Sequence, residues 1–596
     1  MKFAELAATY ERLEGTSKRL EMRSLLSGLL RPVSAEEIPT VVYLTQGLLR
    51  PEYEGVELGI ADSLARRALA LALDVPEAKV LEHVRSSGDL GLTATELVAN
   101  RPGAATSPTL TVREVYRSLR ELARTSGEGS QDAKVRGLAD LFRPATPVEL
   151  KFLVRFVIGT LRVGVREMTI LDALADAFAD GSKPARAKIE QAFNLSSDLG
   201  LIAEKLASKG LSGLSEIHLE VGRPIRPMLA EREPDLPAVL ERMGQRAAFE
   251  MKYDGLRVQA HVAADRSVRL FSRRLEEIGS QFPELIEGLP QALRRVPAIV
   301  EGECVPIDPA TGEIRPFQEV SRRRGRKHDL DRLREEVPVC LFVFDVLLAG
   351  GEETLDRPFG ERRKILEGLV KPTERVHLAE QKVVTNVEEA TRFFEEAVAA
   401  GGEGIVAKSL AEGSGYRAGA RGYWWVKYKR EYTQGLGDSI DGVIVGALYG
   451  RGRRAGNFGA FLLAVYHPKL DRFESFCKVG TGFDDAQLAE MTRRLRPLEL
   501  DHRPPSVETE VEPDRWVKPN LVLEVRGAEL SLSPLHRAAF GEVRAGAGLA
   551  LRFPRFTGRI RDDKGPTEAT TSHELLEMYR SQVRQAAPSS EETADR

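Results

Sequence analysis

A lysine set against a turn is the first feature of this chain able to do covalent chemistry. In Glu250-Met251-Lys252-Tyr253-Asp254-Gly255-Leu256-Arg257 a strand ends at the lysine, a tight Asp-Gly turn follows and a second strand begins. Val258, Ala260 and Val262 alternate with Gln259 and His261, the period of a half-buried strand. Such a turn holds Lys252 at a strand edge, aimed into a cleft. With a free pKa of about 10.4, only about one lysine in a thousand is neutral at pH 7.4. Burial and neighbouring cations release the free amine, which then attacks an electrophile to give a covalent intermediate. Taken alone, Lys-x-Asp-Gly equally describes a surface lysine beside a hairpin turn. Three fixed residues recur by chance in roughly one chain in fifteen of this size.

The downstream segments reverse those odds. They are Phe271-Ser272-Arg273-Arg274, Glu301-Gly302-Glu303, Phe342-Val343-Phe344-Asp345, Glu403-Gly404-Ile405-Val406, Arg421 with Trp425-Val426-Lys427-Tyr428-Lys429, and Arg552-Phe553-Pro554-Arg555-Phe556 through Lys564. Singly, each is an acidic turn, a buried phenylalanine or a solvated basic strand. In this order and spacing they resemble the ATP-dependent DNA ligases, of the lysine nucleotidyltransferase superfamily. The resemblance implies that Arg273 sits on phosphate and that Glu303 faces the ribose and a metal. It implies that Phe344 stacks on adenine, that Glu403 is a metal-site carboxylate, and that Lys427 and Lys429 reach the α-phosphate. Arg421 belongs to the same nucleotide-binding set, and Lys564 to a last motif carried by a barrel. Gly437 to Asp441 and Lys478 to Phe483 look like barrel segments of the archaeal and eukaryotic-type cellular ligases, and the N-terminal half resembles their helical DNA-binding domain. One departure stands out: Thr557-Gly558 makes the last motif one residue longer than the expected form. Arg559 and Arg561 are therefore ambiguous by one step and rank below Lys564.

The chemistry accounts for these residue types independently. Adenylyl transfer brings a nucleophile onto an anionic α-phosphate, so catalysis is mostly positioning and charge neutralisation. Arg257, Arg273, Lys427 and Lys429 are the cations for that task. Glu303 and Glu403 offer hard oxygen ligands suited to Mg2+ or another divalent cation, which bridges substrate phosphates and keeps several waters. Glu250, two residues before the nucleophile, is placed to accept from the adenine amino group and so to prefer ATP over GTP; the competing reading is a solvated strand carboxylate.

These residues need elements to position them. At 596 residues the chain exceeds one core, so several domains are expected. Residues 1–215 read as helices, an all-α DNA-binding domain. Thr146-Pro147-Val148-Glu149 is a capping box with proline at the first helical position, opening a run with Leu150, Leu153, Val157 and Leu161. A second helix follows from about Thr169. Between them Gly159 to Arg166 gathers glycines and arginines at a helix end, where backbone amides and Arg side chains bind phosphate. Arg162, Gly164 and Arg166 are the candidate DNA contacts there; an ordinary helix–turn–helix joint is the equal alternative. Thr125 to Gln131 reads as an exposed polar loop.

Gly222-Arg223-Pro224-Ile225-Arg226-Pro227 marks a linker, because two prolines stop any helix. Residues 216–432 then mix strands and helices, an α+β nucleotidyltransferase domain, with strands at Val268–Leu270, Ala298–Val305, Val339–Leu347, Gly404–Lys408 and Trp424–Lys429. After a boundary near Glu431 to Gly437, residues 433–585 suggest a β-barrel OB-fold domain, with strands at Val443–Leu448, Ala460–Tyr466, Phe473–Val479, Leu521–Val525 and Leu549–Phe553. Residues 586–596 read as a disordered tail.

A net charge of −3 argues against a polybasic coat, and a near-neutral chain with discrete basic clusters suits an enzyme that holds phosphates at a few defined points. Local basic runs are Arg322 to Lys327, Arg451 to Arg454 and Arg552 to Lys564. Such runs are more often solvated surface than binding sites; Arg453 and Arg454 are the further candidate DNA contacts among them. Cys304, Cys340 and Cys477 stand singly among apolar neighbours, fitting neither a zinc site nor a disulfide framework. With no membrane-spanning run or signal peptide, a monomer in a reducing cytoplasm is expected. The expected partner is nicked duplex DNA. A sliding clamp stays a candidate, though no clear motif for one is present. The rivals are an RNA ligase or capping-type nucleotidyltransferase, and a non-catalytic nick-binding scaffold. A scaffold would be free to lose Lys252, Glu303 or Lys427, and all three are present.

Overall fold

The computed structural model describes residues 1–99, 107–315, 319–320, 323, 330–429, 439–450 and 456–586. Two compact units are found. One holds Met1–Arg232, Leu240–Asn386 and Val406–Lys427; the other holds Glu233–Val239, Val387–Ile405 and Tyr428–Arg596.

The first unit begins with helices only, from Phe3–Glu14 to Leu199–Lys209, closed by a 3-10 segment at Gly210–Glu216 around one apolar core. Local chemistry starts them where expected. Thr146 donates through its backbone N–H and its hydroxyl to Glu149 Oε2, at 2.9 and 2.8 Å, and Pro147 fills the first position of the helix Pro147–Val157. The next helix spans Glu167–Phe178, two residues earlier than its apolar run suggested. The polar loop after Arg124 is shorter than expected. Ser130 and Gln131 join the helix Ser130–Phe142, which Gly129 enters with a φ of 75°.

The Gly222-to-Pro227 stretch is a buried strap rather than a free linker. Ile225 and Met228 are fully buried. Proline removes any helical route for the backbone groups here, so side chains satisfy them. The Gly222 N–H donates to His261 Nδ1 at 3.0 Å, and the Ile225 N–H to Gln259 Oε1 at 2.9 Å. Arg257 donates to the Met228 carbonyl at 2.7 Å, while the Met228 N–H donates to the Tyr416 hydroxyl at 2.8 Å. Burial pushes the His261 imidazole down to about 3, so it stays neutral and accepts at Nδ1.

The strands that follow are β1 (Leu229–Arg232), β2 (Ala247–Lys252), β3 (Leu256–Val262), β4 (Val268–Ser272), β5 (Ala298–Pro306), β6 (Val339–Ala349), β7 (Glu352–Glu353), β8 (Val376–Leu378), β9 (Gln381–Val384), β10 (Gly404–Ser409) and β11 (Arg421–Lys429). They form two sheets, in orders β1-β11-β10-β2-β9 and β4-β3-β5-β6-β7, with β8 on β6. The Asp-Gly turn after Lys252 therefore closes no hairpin: it carries the chain from one sheet to the other. One face of the second sheet buries Val258, Ala260, Val300, Leu341 and Val343 against the helices Pro283–Ala292 and Phe359–Leu369.

The second unit is strand-rich at its C-terminal end: β12 (Ile440–Tyr449), β13 (Phe458–His467), β14 (Arg472–Val479), β15 (Glu499–Leu500), β16 (Val507–Glu508), β17 (Arg515–Val517), β18 (Val522–Arg526), β19 (Glu529–Ser533), β20 (Gly548–Arg552) and β21 (Arg555–Ile560). One edge of β12 pairs β18 through Ile440–Val443 and β17 through Gly446–Ala447, so the sheet curls between them. The helices Asp485–Leu495 and Ser572–Ala586 send Leu488, Met491, Leu495, Leu575 and Leu576 into its core. The boundary near Glu431 to Gly437 and the tail after Ala586 lie outside the described residues. Among the described residues no helix is long and apolar enough to cross a membrane.

Candidate active site

Lys252 is the last residue of β2 and is half-buried. The turn after it needs glycine. A Cβ on Gly255 would stand 2.5 Å from the Cys304 carbonyl oxygen and 2.9 Å from Glu303 Cγ. The backbone after Lys252 is thus laid on β5 beside the half-buried Glu303, which pairs in register with Arg257.

Two residues before the lysine stands a buried polar cluster. Glu250, on β2, is 3% exposed, which overturns the solvated alternative. Its Oε2 takes the ammonium of Lys408 at 2.7 Å. Its Oε1, also buried, has no hydrogen-bond partner, and Arg363 stands 3.8 Å from it. Burial raises the Glu250 carboxyl despite Lys408. Burial likewise lowers Lys408, against the pull of Glu250 and Asp345. The Lys408 Nζ also donates to the Phe344 carbonyl at 3.0 Å and lies 4.5–4.8 Å from the ring centroids of Phe344, Phe359 and Trp425.

Phe344 meets Trp425 edge-on at 6.2 Å, on the face of β6 away from the apolar core. Behind it Asp345 and Arg362, both fully buried, form a bidentate pair at 2.9 and 3.0 Å. Burial opposes ionisation of Asp345, but Arg362 prevails and holds it below the usual carboxylate range. Arg257, expected on phosphate, is committed instead to Glu301 Oε2 at 2.8 Å, and Glu301 also accepts from the Tyr416 hydroxyl at 2.7 Å. Its guanidinium lies 5.4 Å from Phe344 and 5.6 Å from Trp425. The structure thus brings Glu250, Arg257 and Phe344 together. Arg273 is apart from them, exposed in the turn after β4, where it lines a groove with Arg50, Glu167 and Arg226.

Lys408, Glu301, Asp345, Arg362 and Tyr416 were not singled out from sequence. The one legible signal was Lys408 itself, a charge directly after the apolar run Ile405-Val406-Ala407 on a strand that proves central to its sheet. A central strand leaves a lysine no route to solvent, so it must find a partner.

In the second unit Glu403 and Lys429 form an ion pair at 2.9 Å. Gly404, at φ 144°, lets the Tyr428 carbonyl approach to 2.2 Å from where a Cβ would be. Glu403 is thereby pressed against the end of β11. Lys427 is half-buried on that strand, and Arg421 opens it, with a side chain outside the described residues. Lys564 shares Asp441 Oδ2 with Arg561, at 2.6 and 2.7 Å. Arg559 is exposed, with Glu524 at 3.8 Å. The extra residue of this motif falls in an irregularity of the β18–β21 pairing, where Gly558 adopts a φ of 95°.

In the helical region Leu161 and Val163 point inward, while Arg162, Gly164 and Arg166 alternate outward. Arg162 is tied to Asp89 at 2.9 Å, which also accepts both arms of the buried Arg155. Arg453 and Arg454 lie outside the described residues.

A lysine thus stands at a sheet-to-sheet turn, two residues after a buried carboxylate that is ion-paired to Lys408 beside Phe344 and Trp425. Comparison with known proteins defines this site further. Family models for the DNA ligase N terminus, the ATP-dependent DNA ligase domain and the ATP-dependent DNA ligase C-terminal region match residues 2–175, 227–429 and 454–564. "DNA ligase 2" of Thermofilum pendens is 47% identical over 98% of each chain. A "Probable DNA ligase" of Aquifex aeolicus is 46% identical over 98% of this chain and 99% of its own. The solved structure named "Pmar-Lig_Pre." shares the fold alone, at 17% identity and a TM-score of 0.54, over 94% of this chain and 99% of that one. The chain belongs to the ATP-dependent DNA ligase family. Its activity is ATP-dependent sealing of nicks in DNA.

Proposed function

We propose that sealing runs through Lys252. The amine attacks the α-phosphorus of ATP, forming a P–N bond while pyrophosphate leaves, to give a lysyl-AMP. The 5′-phosphate at a nick then attacks that phosphorus and releases the lysine. Finally the 3′-hydroxyl attacks the adenylylated 5′-phosphate, closing the strand and freeing AMP. The observation carrying this reading is the turn after Lys252, laid on β5 beside Glu303 in the unit that also holds the Glu250–Phe344 pocket. Lys252→Arg, which keeps the charge but stays protonated, is expected to abolish label uptake from α-labelled ATP. It should partly spare sealing of a nick already bearing 5′-AMP. Label uptake by the Arg variant would refute the assignment.

Glu250 then accepts from the adenine amino group through Oε1, and Phe344 supplies the stacking wall. Arg273, Arg421, Lys427 and Lys429 neutralise phosphate charge, Arg257 braces the pocket through Glu301, and Lys564 meets the pyrophosphate. Glu303 and Glu403 each offer carboxylate oxygens and are each partly exposed, donors of the kind that suits Mg2+ bound to substrate phosphates. When bound, such a cation neutralises charge building on the phosphates; Lys429, already on Glu403, keeps that carboxylate oriented meanwhile.

The domain reading is helical DNA grip at 1–215, nucleotidyltransferase at 216–432 and OB-fold at 433–585. A nick offers no sequence to read, so Arg162, Gly164, Arg166, Arg453 and Arg454 contact phosphates. The enzyme acts on nicked duplex DNA in replication, repair or recombination.

A further inference from the structure

We infer that Lys408 is a positioning residue for base selection, fixing Glu250 so that its Oε1 stays a pure acceptor toward the 6-amino group of adenine. This rests on the proposed role of Glu250 and adds the residue that makes it selective. A carboxylate distinguishes adenine from 6-oxopurines only while it is ionised and oriented. Ionised, both oxygens accept, so they welcome an N–H and repel a carbonyl oxygen. Protonated, the same group donates to a carbonyl oxygen as readily as it accepts from an amine.

Glu250 is buried deeply enough to favour the protonated form, and its carboxyl is already raised. What opposes protonation is the ammonium of Lys408, 2.7 Å from Oε2 and only 1% exposed. The ammonium is itself held on three sides. The Phe344 carbonyl accepts from it at 3.0 Å, and the rings of Phe344, Phe359 and Trp425 surround it. Lys408 thus links the hydrogen-bonding end of the pocket to its stacking wall, because the carbonyl it grips belongs to the stacking residue. The other charges facing this pair are Asp345 on β6 with Arg362, its bidentate partner, and Arg363 from the helix Phe359–Leu369. Arg363 cannot replace Lys408. It is 3.8 Å from Oε1, and its guanidinium already donates to Glu367 and to the Ala379 carbonyl. The lone buried oxygen of the pair is Oε1, with no hydrogen-bond partner. Such an atom is costly in a folded protein unless a ligand completes it.

The test uses the full-length enzyme and self-adenylylation kinetics with two nucleotides, ATP and ITP, which carry an amine or an oxygen at the same ring position. Lys408→Met is expected to lower the ATP-over-ITP ratio of kcat/KM by tenfold or more, mostly through a higher KM for ATP. Its ITP reaction should improve as pH falls, while the parent's does not. Lys408→Arg, which retains charge, should keep the ratio within about threefold of the parent. Should Lys408→Met not fold, Lys408→Gln, which retains a donor for the Phe344 carbonyl, gives the same readout. An equal loss with ATP and ITP, at unchanged ratio, would overturn the inference and leave Lys408 a packing residue. Glu250→Gln separates the two levels. If it leaves the ratio unchanged, the role given to Glu250 itself fails. If it lowers the ratio while the Lys408 variants do not, only the present inference fails.

Discussion

Removing Arg362 tests how Phe344, the residue proposed to stack on adenine, is held. Arg362 and Asp345 are both fully buried, with two hydrogen bonds between them, and the same guanidinium donates to the carbonyls of Arg357 and Ser414 at 2.7 and 3.0 Å. Arg362→Met strips the buried Asp345 of its bidentate partner and leaves it only the Coulomb pull of Lys408 and the Val346 N–H, which costs up to about 3–5 kcal/mol. At roughly 2–4 °C per kcal/mol, the value for 150–250 residues and an upper figure for this larger unit, melting should fall by at most about 6–20 °C. Adding Asp345→Leu removes the stranded charge, so the double variant should recover at least about 2 kcal/mol. The remaining deficit belongs to the two carbonyls and to the Val346 N–H, which donates to Asp345 Oδ1.

The pH dependence follows from the direction of the Asp345 shift. Its folded value is depressed, so the stability it contributes is present above the unfolded carboxylate value of about 4 and is lost as pH falls through the folded one. In Arg362→Met the same carboxyl is raised instead, and acid favours the fold. The melting gap between parent and Arg362→Met should therefore shrink from pH 7 toward pH 4. Calorimetric melts across that range measure it, and ATP titration of self-adenylylation should show a several-fold higher KM as Phe344 loses its brace. A variant melting within about 2 °C of the parent, a gap constant with pH, or a double variant no better than the single would refute the reasoning.

Glu303→Ala and Glu403→Ala should each abolish most sealing while leaving the melting temperature nearly unchanged; a large drop in melting would indicate a structural carboxylate instead. Gly404→Ala should destabilise by about 2 kcal/mol or more and lower adenylylation, since the added Cβ meets the Tyr428 carbonyl at 2.2 Å; calorimetry and label uptake check both. Arg162→Ala with Arg166→Ala should weaken nick binding and flatten its log–log salt slope by about one to two units, the lower figure if Asp89 already holds much of the Arg162 charge. An unchanged slope would remove this joint from the DNA grip. Lys564→Ala should slow adenylylation by ATP yet largely spare sealing of pre-adenylylated nicks; equal loss in both assays would reassign it to the stability of its Asp441 contact.

Periodicity placed the central strands and two of the helices. Val268–Ser272, Ala298–Pro306, Val339–Ala349 and Gly404–Ser409 all lie where alternation put strands, and Thr146 with Glu149 marked a helix start to the residue. These are local properties, set by side-chain period and by capping within a few residues, so a single stretch of chain contains them. The positions of the motif glycines were equally legible, but their reason was not. Gly255 and Gly404 are required by carbonyls of Cys304 and Tyr428, and only the folded backbone brings those close. The turn after Lys252 read as adequate for a hairpin, because nothing local distinguishes strands that pair from strands that part into two sheets. The Gly222-to-Pro227 stretch read as a linker for the same reason: prolines announce the loss of helix, while the buried partners on β3 come from residues some 34–39 positions away. Pairing of charges was the least legible of all. Arg257 with Glu301, Lys408 with Glu250, Asp345 with Arg362 and Lys564 with Asp441 join residues far apart in sequence. A charge leaves water only where the whole fold supplies its partner, and that choice belongs to the tertiary structure.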